Sequence, residues 1–295
     1  MVWQKDFPAS SANLGPGFDS IGIAVDRYLT VTACPAERWQ VDFETDFMAD
    51  LPQDESNLVV AVALETAARY GKTLAPLHLT MKSQIPLTHG MGSSASAIVA
   101  GIELANDFAD LGLSTFDKVR LASAKEGHPD NVAPAVFGGA TVAWVEADGT
   151  PRAAPMPVDG TLPVSLLVPP STTRLSTEEA RKVLPDSVPR ADALFNTSRA
   201  AVLMLALAGR PDLLLTGTED RLHQEYRRSV LPSSMAVMDS LRRQGYPAVI
   251  SGAGPTVLVL ADVAQQTRFT LERHGWTVLR PGIDTRGAVL TSVAS

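Results

Sequence analysis

The chain has 295 residues, of which 45% are hydrophobic, so it can bury the core of one large domain or of two domains of ordinary size. Its net charge of −7 argues against a surface built to bind nucleic acid or an anionic membrane. Cys34 is the only cysteine, which excludes an intramolecular disulfide and fits a reducing cytoplasm. The sequence shows neither a signal-peptide pattern nor a long apolar run. We therefore expect a cytoplasmic protein without a membrane partner.

Strands and helices alternate along the first half of the chain. Apolar alternation predicts strands over residues 21–33 (divided around 26–27), 41–44, 77–82 and 138–146. Apolar residues at helical spacing predict helices over 57–70, 95–108 and 114–126. Gly71 and Gly127 follow two of these helices as C-caps, and Ser114 with Asp117 resembles a capping box at the start of the third.

The second half mixes the same two kinds of element. The segment 148–163 is rich in Pro, Gly and Ala, which predicts a linker between a domain of residues 1–158 and a domain of residues 159–295. Strands are predicted over 164–168, 249–250, 256–260 and 276–279, and helices over 177–183, 192–207, 233–244 and 267–274. Because antiparallel hairpin signals run through both halves, we predict an α+β fold.

A glycine-rich loop that leads into the second predicted helix is the most informative feature of the chain. It reads Pro86-Leu87-Thr88-His89-Gly90-Met91-Gly92-Ser93-Ser94-Ala95-Ser96. Glycines let the backbone approach a ligand closely, and the start of a helix adds unpaired N–H groups with a partial positive charge, so the two together form a cradle for phosphate. Serine hydroxyls there can bind phosphate oxygen or a magnesium ion. The alternative is a packed corner between a strand and a helix, since the Gly-Lys-Ser/Thr ending of the common P-loop is absent.

Two glycine-containing turns could complete such a site. The segment 8–19 is polar and lies between two apolar strands, and its Asn13 and Asp19 could bind a hydroxyl or amine group or could only form turns. The segment 249–256 is a short glycine turn between apolar strands, which could close on the phosphate loop or on the substrate, or could be an ordinary hairpin.

Charged residues in the middle of the chain are further candidates. Glu126 ends a predicted helix, where a carboxylate opposes the helix dipole, and this favours a role such as magnesium ligand over a solvated surface residue. His128, Asp130 and Asn131 follow it, before the apolar strand predicted over 138–146, and either line a pocket or form a helix-ending turn. Beyond them, Arg181 and Arg227 could each grip a carboxylate or lie on a solvated helix face.

These motifs, in this order and at these distances, resemble those of the GHMP kinases, in which the central loop reads Pro-x-x-x-Gly-Leu-Gly-Ser-Ser-Ala. Met91 stands in place of the Leu, a change that conserves volume. The likeness extends from about residue 8 to about residue 285 and is strongest to family members that act on homoserine, through the stretches 8–19, 128–139, 177–185, 222–227 and 251–256. It implies a two-domain fold with a ribosomal protein S5 domain 2-like N-terminal domain and a ferredoxin-like C-terminal domain.

The resemblance also implies ATP-dependent phosphorylation of the L-homoserine side-chain hydroxyl, with Mg²⁺, as a step towards threonine. It places the ATP phosphates on Pro86 to Ser96, Asn57 near the nucleotide, and the magnesium ion on Ser94 and Glu126. The residues implied to surround homoserine are Asn13, Asp19, His128, Asp130, Asn131, Thr177, Arg181 and Arg227, with the two arginines on its carboxylate.

Among these residues we expect Asn13, Asn131 and Arg181 to be catalytic. Asn131 stands where mevalonate kinase relatives carry a candidate base, and an amide does not act as a base in the usual sense. We therefore predict direct attack by the substrate hydroxyl without a side-chain general base, because positioning and charge neutralisation supply most of the rate in phosphoryl transfer.

Two alternatives remain open at this point. The first is another small-molecule kinase of the same fold that acts on a mevalonate-like alcohol. Such a substrate has no amine, whereas Asn13, Asp19 and Asp130 suit a substrate that has one. A catalytically silent ligand sensor would have no need of intact Ser94 and Glu126. We expect no nucleic-acid partner, and a homodimer, since dimers are the commonest assembly.

Overall fold

Two β-sheets flanked by helices make up the computed structural model, which describes residues 2–170 and 177–294. Its strands are β1 Val2–Ser11, β2 Ile21–Pro35, β3 Gln40–Phe43, β4 Leu77–Ser83, β5 Ala140–Val145, β6 Pro151–Met156, β7 Ser165–Val168, β8 Ala248–Ile250, β9 Val257–Val259, β10 Thr277–Leu279 and β11 Val289–Ala294. Its α-helices are α1 Leu58–Arg69, α2 Ser93–Phe108, α3 Thr115–Glu126, α4 Val132–Phe137, α5 Thr177–Lys182, α6 Arg190–Leu207, α7 Leu214–Gly217, α8 Pro232–Arg243 and α9 Gln265–Arg273. The predicted α+β class is confirmed.

The first sheet is organised around the long strand β2. Its first residues pair with β5 and its later residues with β4, while β1 runs antiparallel along its other side. The strand β3 is parallel to β4, and β11 joins the sheet beside β1, so the last part of the chain returns to the first sheet. The first sheet thus includes β11 from the predicted C-terminal domain, and the boundary between residues 158 and 159 stays a prediction.

The predicted linker contains a strand. Residues 151–156 form β6, which among the described strands pairs only with β5, so reading the whole segment 148–163 as a linker was wrong. Pro151 and Pro155 are compatible with this position, because the N–H that proline lacks is not needed on the open side of an edge strand.

Helix α2 is the centre of the first layer of helices. It packs against β1, α1, α3 and α4, and ten of its sixteen residues are buried. Gly101 lets α1 approach closely, since a Cβ there would lie 2.6 Å from the carbonyl oxygen of Val59. The buried ammonium of Lys5, on the inward face of β1, is neutralised by Glu103 at 2.7 Å and Asp107 at 2.8 Å. Buried charges of this kind persist only when they are paired.

The second sheet has the ferredoxin-like arrangement that the resemblance implied. Its strands lie in the order β10-β7-β9-β8, all antiparallel, and the chain runs through it as strand, helices, two strands, helix and strand. Helices α8 and α9 pack on it around a core that includes Leu167, Met235 and Val259. No helix in the described part of the chain is long and apolar enough to cross a membrane.

One short helix near the candidate site was not predicted. The apolar residues 132–137, to which no element was assigned, form α4, and they pack against α2, α3 and β1. Six residues are too few to show a helical period in the sequence, so tertiary contacts decided this element.

Candidate active site

The glycine-rich loop connects β4 to α2 and has the backbone of a phosphate cradle. Gly90 has φ 71° and Gly92, the N-cap of α2, has φ 67°, a region that only glycine adopts readily. A Cβ on Gly90 would lie 2.3 Å from the carbonyl oxygen of Ser251, and a Cβ on Gly92 would lie 2.0 Å from Ser10 Oγ. The first backbone N–H groups of α2 have no partner within the helix and are available to an anion.

Both chain segments beside the loop hold it in place. The N–H of Ser10 in β1 donates to the carbonyl of Met91, and Ser96 Oγ donates to the carbonyl of Pro8. On the other side, the hydroxyl of Ser251 lies 2.6 Å from the carbonyl oxygen of Gly90 and 2.8 Å from Ser11 Oγ. The glycine turn between β8 and β9 therefore closes on the phosphate loop, as the sequence suggested that it could.

Helix α3 ends beside the start of α2 and brings a carboxylate to the loop. Ser94 Oγ donates to Glu126 Oε2 at 2.8 Å. Burial raises the pKa of the Glu126 carboxyl, although the hydrogen bond from Ser94 and the charge of His128 act in the opposite direction. The described residues contain no group of three or more His, Cys, Asp or Glu side chains that could hold a metal ion among themselves.

The turn between β1 and β2 is fixed by its own polar side chains. Asn13 and Asp19 both have positive φ, 57° and 54°, which Asn and Asp tolerate better than most residues. Asn13 Nδ2 donates to the carbonyl of Gly252 at 3.1 Å, and its Oδ1 accepts from the N–H of Asp19 at 2.8 Å. The amide of Asn13 thus ties the turn to the second sheet.

Two of the predicted substrate residues form a pair with each other. Arg181 Nη1 and Nη2 donate to the two carboxylate oxygens of Asp19 at 3.1 Å and 2.6 Å. These bonds raise the pKa of Arg181, although its burial opposes them. Thr177 is the first residue of α5, the helix that also carries Arg181, but its side chain lies outside what the structure describes.

The residues between α3 and α4 form a second polar group. His128 Nδ1 lies 2.7 Å from Asp130 Oδ1, and this hydrogen bond raises the pKa of the histidine against the effect of burial. Asp130 is fully buried, and its Oδ2 has no hydrogen-bond partner among the described residues. Asn131 Oδ1 accepts from Ser10 Oγ at 3.1 Å, so its amide is oriented by β1.

Arg227 is almost completely buried behind the same turn. Its Nε donates to the carbonyl of Ala180, and its Nη1 lies 3.1 Å from both the carbonyl oxygen of Gly252 and His223 Nδ1. Burial, helped by the charge of Arg181, lowers the pKa of Arg227 to about 10. The guanidinium thus remains charged at neutral pH.

A cavity of about 260 Å³ collects most of these groups. Its lining comprises Asn13, Thr88, His89, Gly90, Gly92, Ser93, Ser94, Glu126, His128, Asn131, Arg181, Arg227, Gly252, Ala253 and Gly254. Several predicted residues lie beside the cavity without lining it: Asp19 bonds Arg181, Asp130 bonds His128, and Pro86, Met91, Ala95 and Ser96 lie within or directly after the loop.

A second, more apolar cavity of about 340 Å³ adjoins the first and shares Thr88, Ser93 and Ser94 with it. Leu87 and Asn57 lie in its wall. The side chain of Asn57 is occupied in capping α1, since its Oδ1 accepts from the N–H of Val59 and its Nδ2 donates to the carbonyl of Pro52.

Some residues that build the site lie within the motifs found in the sequence but were not singled out there. Ser10 and Ser251 orient the loop and Asn131, and Phe18 and His223 stack behind the turn, with ring centroids 5.0 Å apart. Serine in a strand and a buried histidine are both ordinary structural residues, and only their partners reveal what they do.

Comparison with known proteins identifies the family. The model of the GHMP kinases N terminal domain matches residues 57–139, and that of the GHMP kinases C terminal matches residues 203–274. Over 98% of its length the chain is 43% identical to the homoserine kinase of Clavibacter michiganensis subsp. michiganensis and 44% identical to that of Streptomyces avermitilis, covering 94% and 95% of those proteins. A Listeria monocytogenes protein, solved as a candidate homoserine kinase, is 34% identical with a TM-score of 0.79, and both chains are covered in full.

The chain therefore belongs to the GHMP kinase family, and it is an ATP-dependent kinase that acts on an alcohol. The sequence-based recognition is confirmed. The two curated relatives described above are both homoserine kinases, so within the family the chain is most like that group.

Proposed function

We propose that the chain transfers the γ-phosphoryl group of ATP to the side-chain hydroxyl of L-homoserine and produces O-phospho-L-homoserine, a step of threonine biosynthesis. The observation that carries this proposal is the shared cavity. In it the phosphate loop from the first half of the chain faces Arg181, Arg227 and the turn 252–254 from the second half. A donor with phosphates and an acceptor with a carboxylate can therefore meet in one space.

The two adjoining cavities fit the two parts of ATP. Backbone N–H groups at the start of α2 and around Gly90 and Gly92 would bind the phosphates, since these glycines leave the space that side chains would fill. The apolar cavity beside Ser93 and Ser94 would take the nucleoside. Asn57 would shape the wall of that cavity through its cap of α1.

Ser94 and Glu126 are suited to holding Mg²⁺ together with the phosphates. Magnesium is commonly held by one or two protein oxygen ligands, substrate phosphates and several waters, so this pair is sufficient. The Glu126 carboxyl is half-buried and its pKa is raised, so a cation would compensate the cost of its ionised form. When bound, the ion would neutralise charge on the transferring phosphoryl group.

The charged groups on the other side of the cavity suit an amino acid. Arg181 and Arg227 would attract the carboxylate, and a guanidinium can donate two parallel hydrogen bonds to one. Asp19 would hold Arg181 in place through their pair, and Asp130 would do the same for His128, while their negative charges favour an ammonium group nearby.

The same geometry supports direct attack by the acceptor hydroxyl. Asn13 and Asn131 line the cavity, and both amides are oriented by hydrogen bonds to other segments. Neither can take a proton at neutral pH, so they would position the hydroxyl, whose proton would leave late in the reaction.

An assay of ADP release with Mg-ATP and a panel of acceptors tests the proposal. The panel contains L-homoserine, L-serine, L-threonine, mevalonate and galactose. Turnover with homoserine alone is the expected result, and turnover with mevalonate or galactose would overturn the assignment of the acceptor residues. Tight binding of ATP or homoserine without turnover would instead support the sensor alternative. The homodimer and the cytoplasmic location stay predictions, which light scattering and cell fractionation would test.

A further inference from the structure

His223 lies fully buried at the junction between the turn 13–19 and Arg227. Its Nε2 is 2.7 Å from the carbonyl oxygen of Gly15, and its Nδ1 is 3.1 Å from Arg227 Nη1. The imidazole therefore connects the turn that carries Asn13 and Asp19 with a guanidinium that lines the cavity.

These two partners fix the protonation of the ring. A carbonyl oxygen can only accept a hydrogen bond, so Nε2 must carry the proton, and a guanidinium can only donate, so Nδ1 must be unprotonated. Burial lowers the pKa of His223, and the charge of Arg227 adds to this effect, while Asp220 opposes it. Geometry alone requires the neutral Nε2–H tautomer, because an imidazolium would lose the bond to Arg227 and repel its charge.

Hydrogen bonds to Asp220 hold the backbone around His223. Asp220 accepts from the backbone N–H groups of Leu222, His223 and Gln224 and from Asn196 Nδ2, which fixes the backbone around the imidazole. The turn approaches this segment directly, since a Cβ on Gly15 would lie 2.7 Å from the carbonyl oxygen of Thr218.

An aromatic ring joins the same group. The imidazole stacks on the ring of Phe18 with an interplanar angle of 18°, and the guanidinium carbons of Arg181 and Arg227 lie 5.5 Å and 5.4 Å from the centroid of that ring. Phe18 precedes Asp19, which holds Arg181. Both arginines of the acceptor side therefore contact one ring whose position depends on His223.

We propose that His223 is a positioning residue for the acceptor half of the active site. Its neutral imidazole sets the distance between the turn 13–19 and Arg227, and through Phe18 it aligns Arg181 with Arg227. This inference deepens the proposed function and rests on it, because the acceptor side is defined by the binding of an amino-acid substrate.

The two hydrogen bonds of His223, to the carbonyl of Gly15 and to the guanidinium of Arg227, form a bridge between the turn 13–19 and Arg227. Two variants test these two hydrogen bonds separately. A glutamine amide nitrogen reaches the place of Nε2, so His223→Gln keeps a donor for Gly15 and loses the acceptor for Arg227. An asparagine oxygen reaches the place of Nδ1, so His223→Asn keeps the acceptor and loses the donor. Loss of one hydrogen bond to a charged or buried partner predicts a rise of about tenfold in the KM for homoserine in each variant, with the KM for ATP changed less than about twofold.

Val263→Ala is the matched control. Val263 is buried in the core of the second sheet and lines neither the cavity nor the pocket beside Asp220, so its truncation destabilises the same half of the chain without changing the contacts of His223. We expect it to lower the thermal midpoint and leave both KM values unchanged. Equal rises in the KM for homoserine and for ATP in the His223 variants, or no rise in either, would overturn the proposal.

A spectroscopic measurement on the unaltered protein tests the bridge independently of activity. In protein labelled with ¹⁵N-histidine, long-range ¹⁵N–¹H correlation spectra distinguish the two neutral tautomers and the imidazolium, and His223→Gln identifies the signal by its loss. A neutral Nε2–H signal at neutral pH is the expected result. A neutral Nδ1–H tautomer or an imidazolium would overturn the bridge, whereas a correct tautomer in a protein that does not phosphorylate homoserine would overturn only the proposed function.

Discussion

The contact between the phosphate loop and the glycine turn 251–254 can be tested by replacing Gly90 with alanine. Gly90 has φ 71°, and an added Cβ would lie 2.3 Å from the carbonyl oxygen of Ser251 and 2.7 Å from that of Gly254. Both obstacles are backbone atoms, so no side-chain rotation can relieve the overlap. The loop and the turn would have to move apart, and the cradle would open.

Two contributions set the size of the effect. The left-handed backbone costs alanine about 1 kcal/mol relative to glycine. Forcing extra volume between packed segments costs a further 1–3 kcal/mol, roughly, so we expect Gly90→Ala to lower the free energy of unfolding by about 2–4 kcal/mol. Because the cradle changes shape, we also expect the KM for ATP to rise by about tenfold, which corresponds to about 1.4 kcal/mol.

Gly71→Ala provides a matched control for the backbone contribution. Gly71 has a similar φ of 68°, but a Cβ there would meet no atom within 4 Å, so this variant should lose only about 1 kcal/mol. Urea unfolding followed by circular dichroism measures both stabilities, and the ADP-release assay measures both KM values. If Gly90→Ala were no less stable than Gly71→Ala and kept a normal KM for ATP, the reasoning about this contact would be refuted.

Three further predictions concern the chemistry of the site. Glu126→Gln should weaken the apparent affinity for Mg²⁺ by about tenfold or more in a titration at fixed ATP, while the fold persists because glutamine can still accept from Ser94; an unchanged Mg²⁺ dependence would remove Glu126 from the metal site. Arg181→Ala should raise the KM for homoserine much more than that for ATP, and Asp19→Asn should show the same selectivity because it breaks the same pair; equal effects on both substrates would argue against contact with the carboxylate. Asn131→Ala should reduce kcat only slightly, and Asn131→Asp should not raise kcat by a large factor; a large rise in kcat with aspartate would show that the reaction uses a side-chain base.

Elements that depend on neighbouring residues could be predicted from the sequence. The capping box of Ser114 and Asp117 is present, and Gly127 ends α3 with φ 94°. Each signal lies within a few residues of the helix end that it marks, so it needs no knowledge of the rest of the fold.

Elements that depend on distant partners could not be predicted in this way. The strand β6 was read as linker because its prolines and small residues suit an edge strand and a loop equally well. The strand β11 has its partner, β1, at the other end of the chain, and the six residues of α4 take their conformation from contacts with α2 and β1. In each case long-range pairing decided the structure.

The chemistry of this protein can be read from its sequence, because the order and spacing of the glycine and serine motifs identify a GHMP kinase and include most of the residues that line the cavity. How those residues are used depends on the folded chain. It paired Asp19 with Arg181 across 162 positions of the chain, closed the turn 251–254 on the phosphate loop, and placed His223 between Gly15 and Arg227. A motif consists of residues that are close in the sequence, so it can be found without knowledge of the fold. Hydrogen bonds between distant segments form only once the two sheets have brought those segments together.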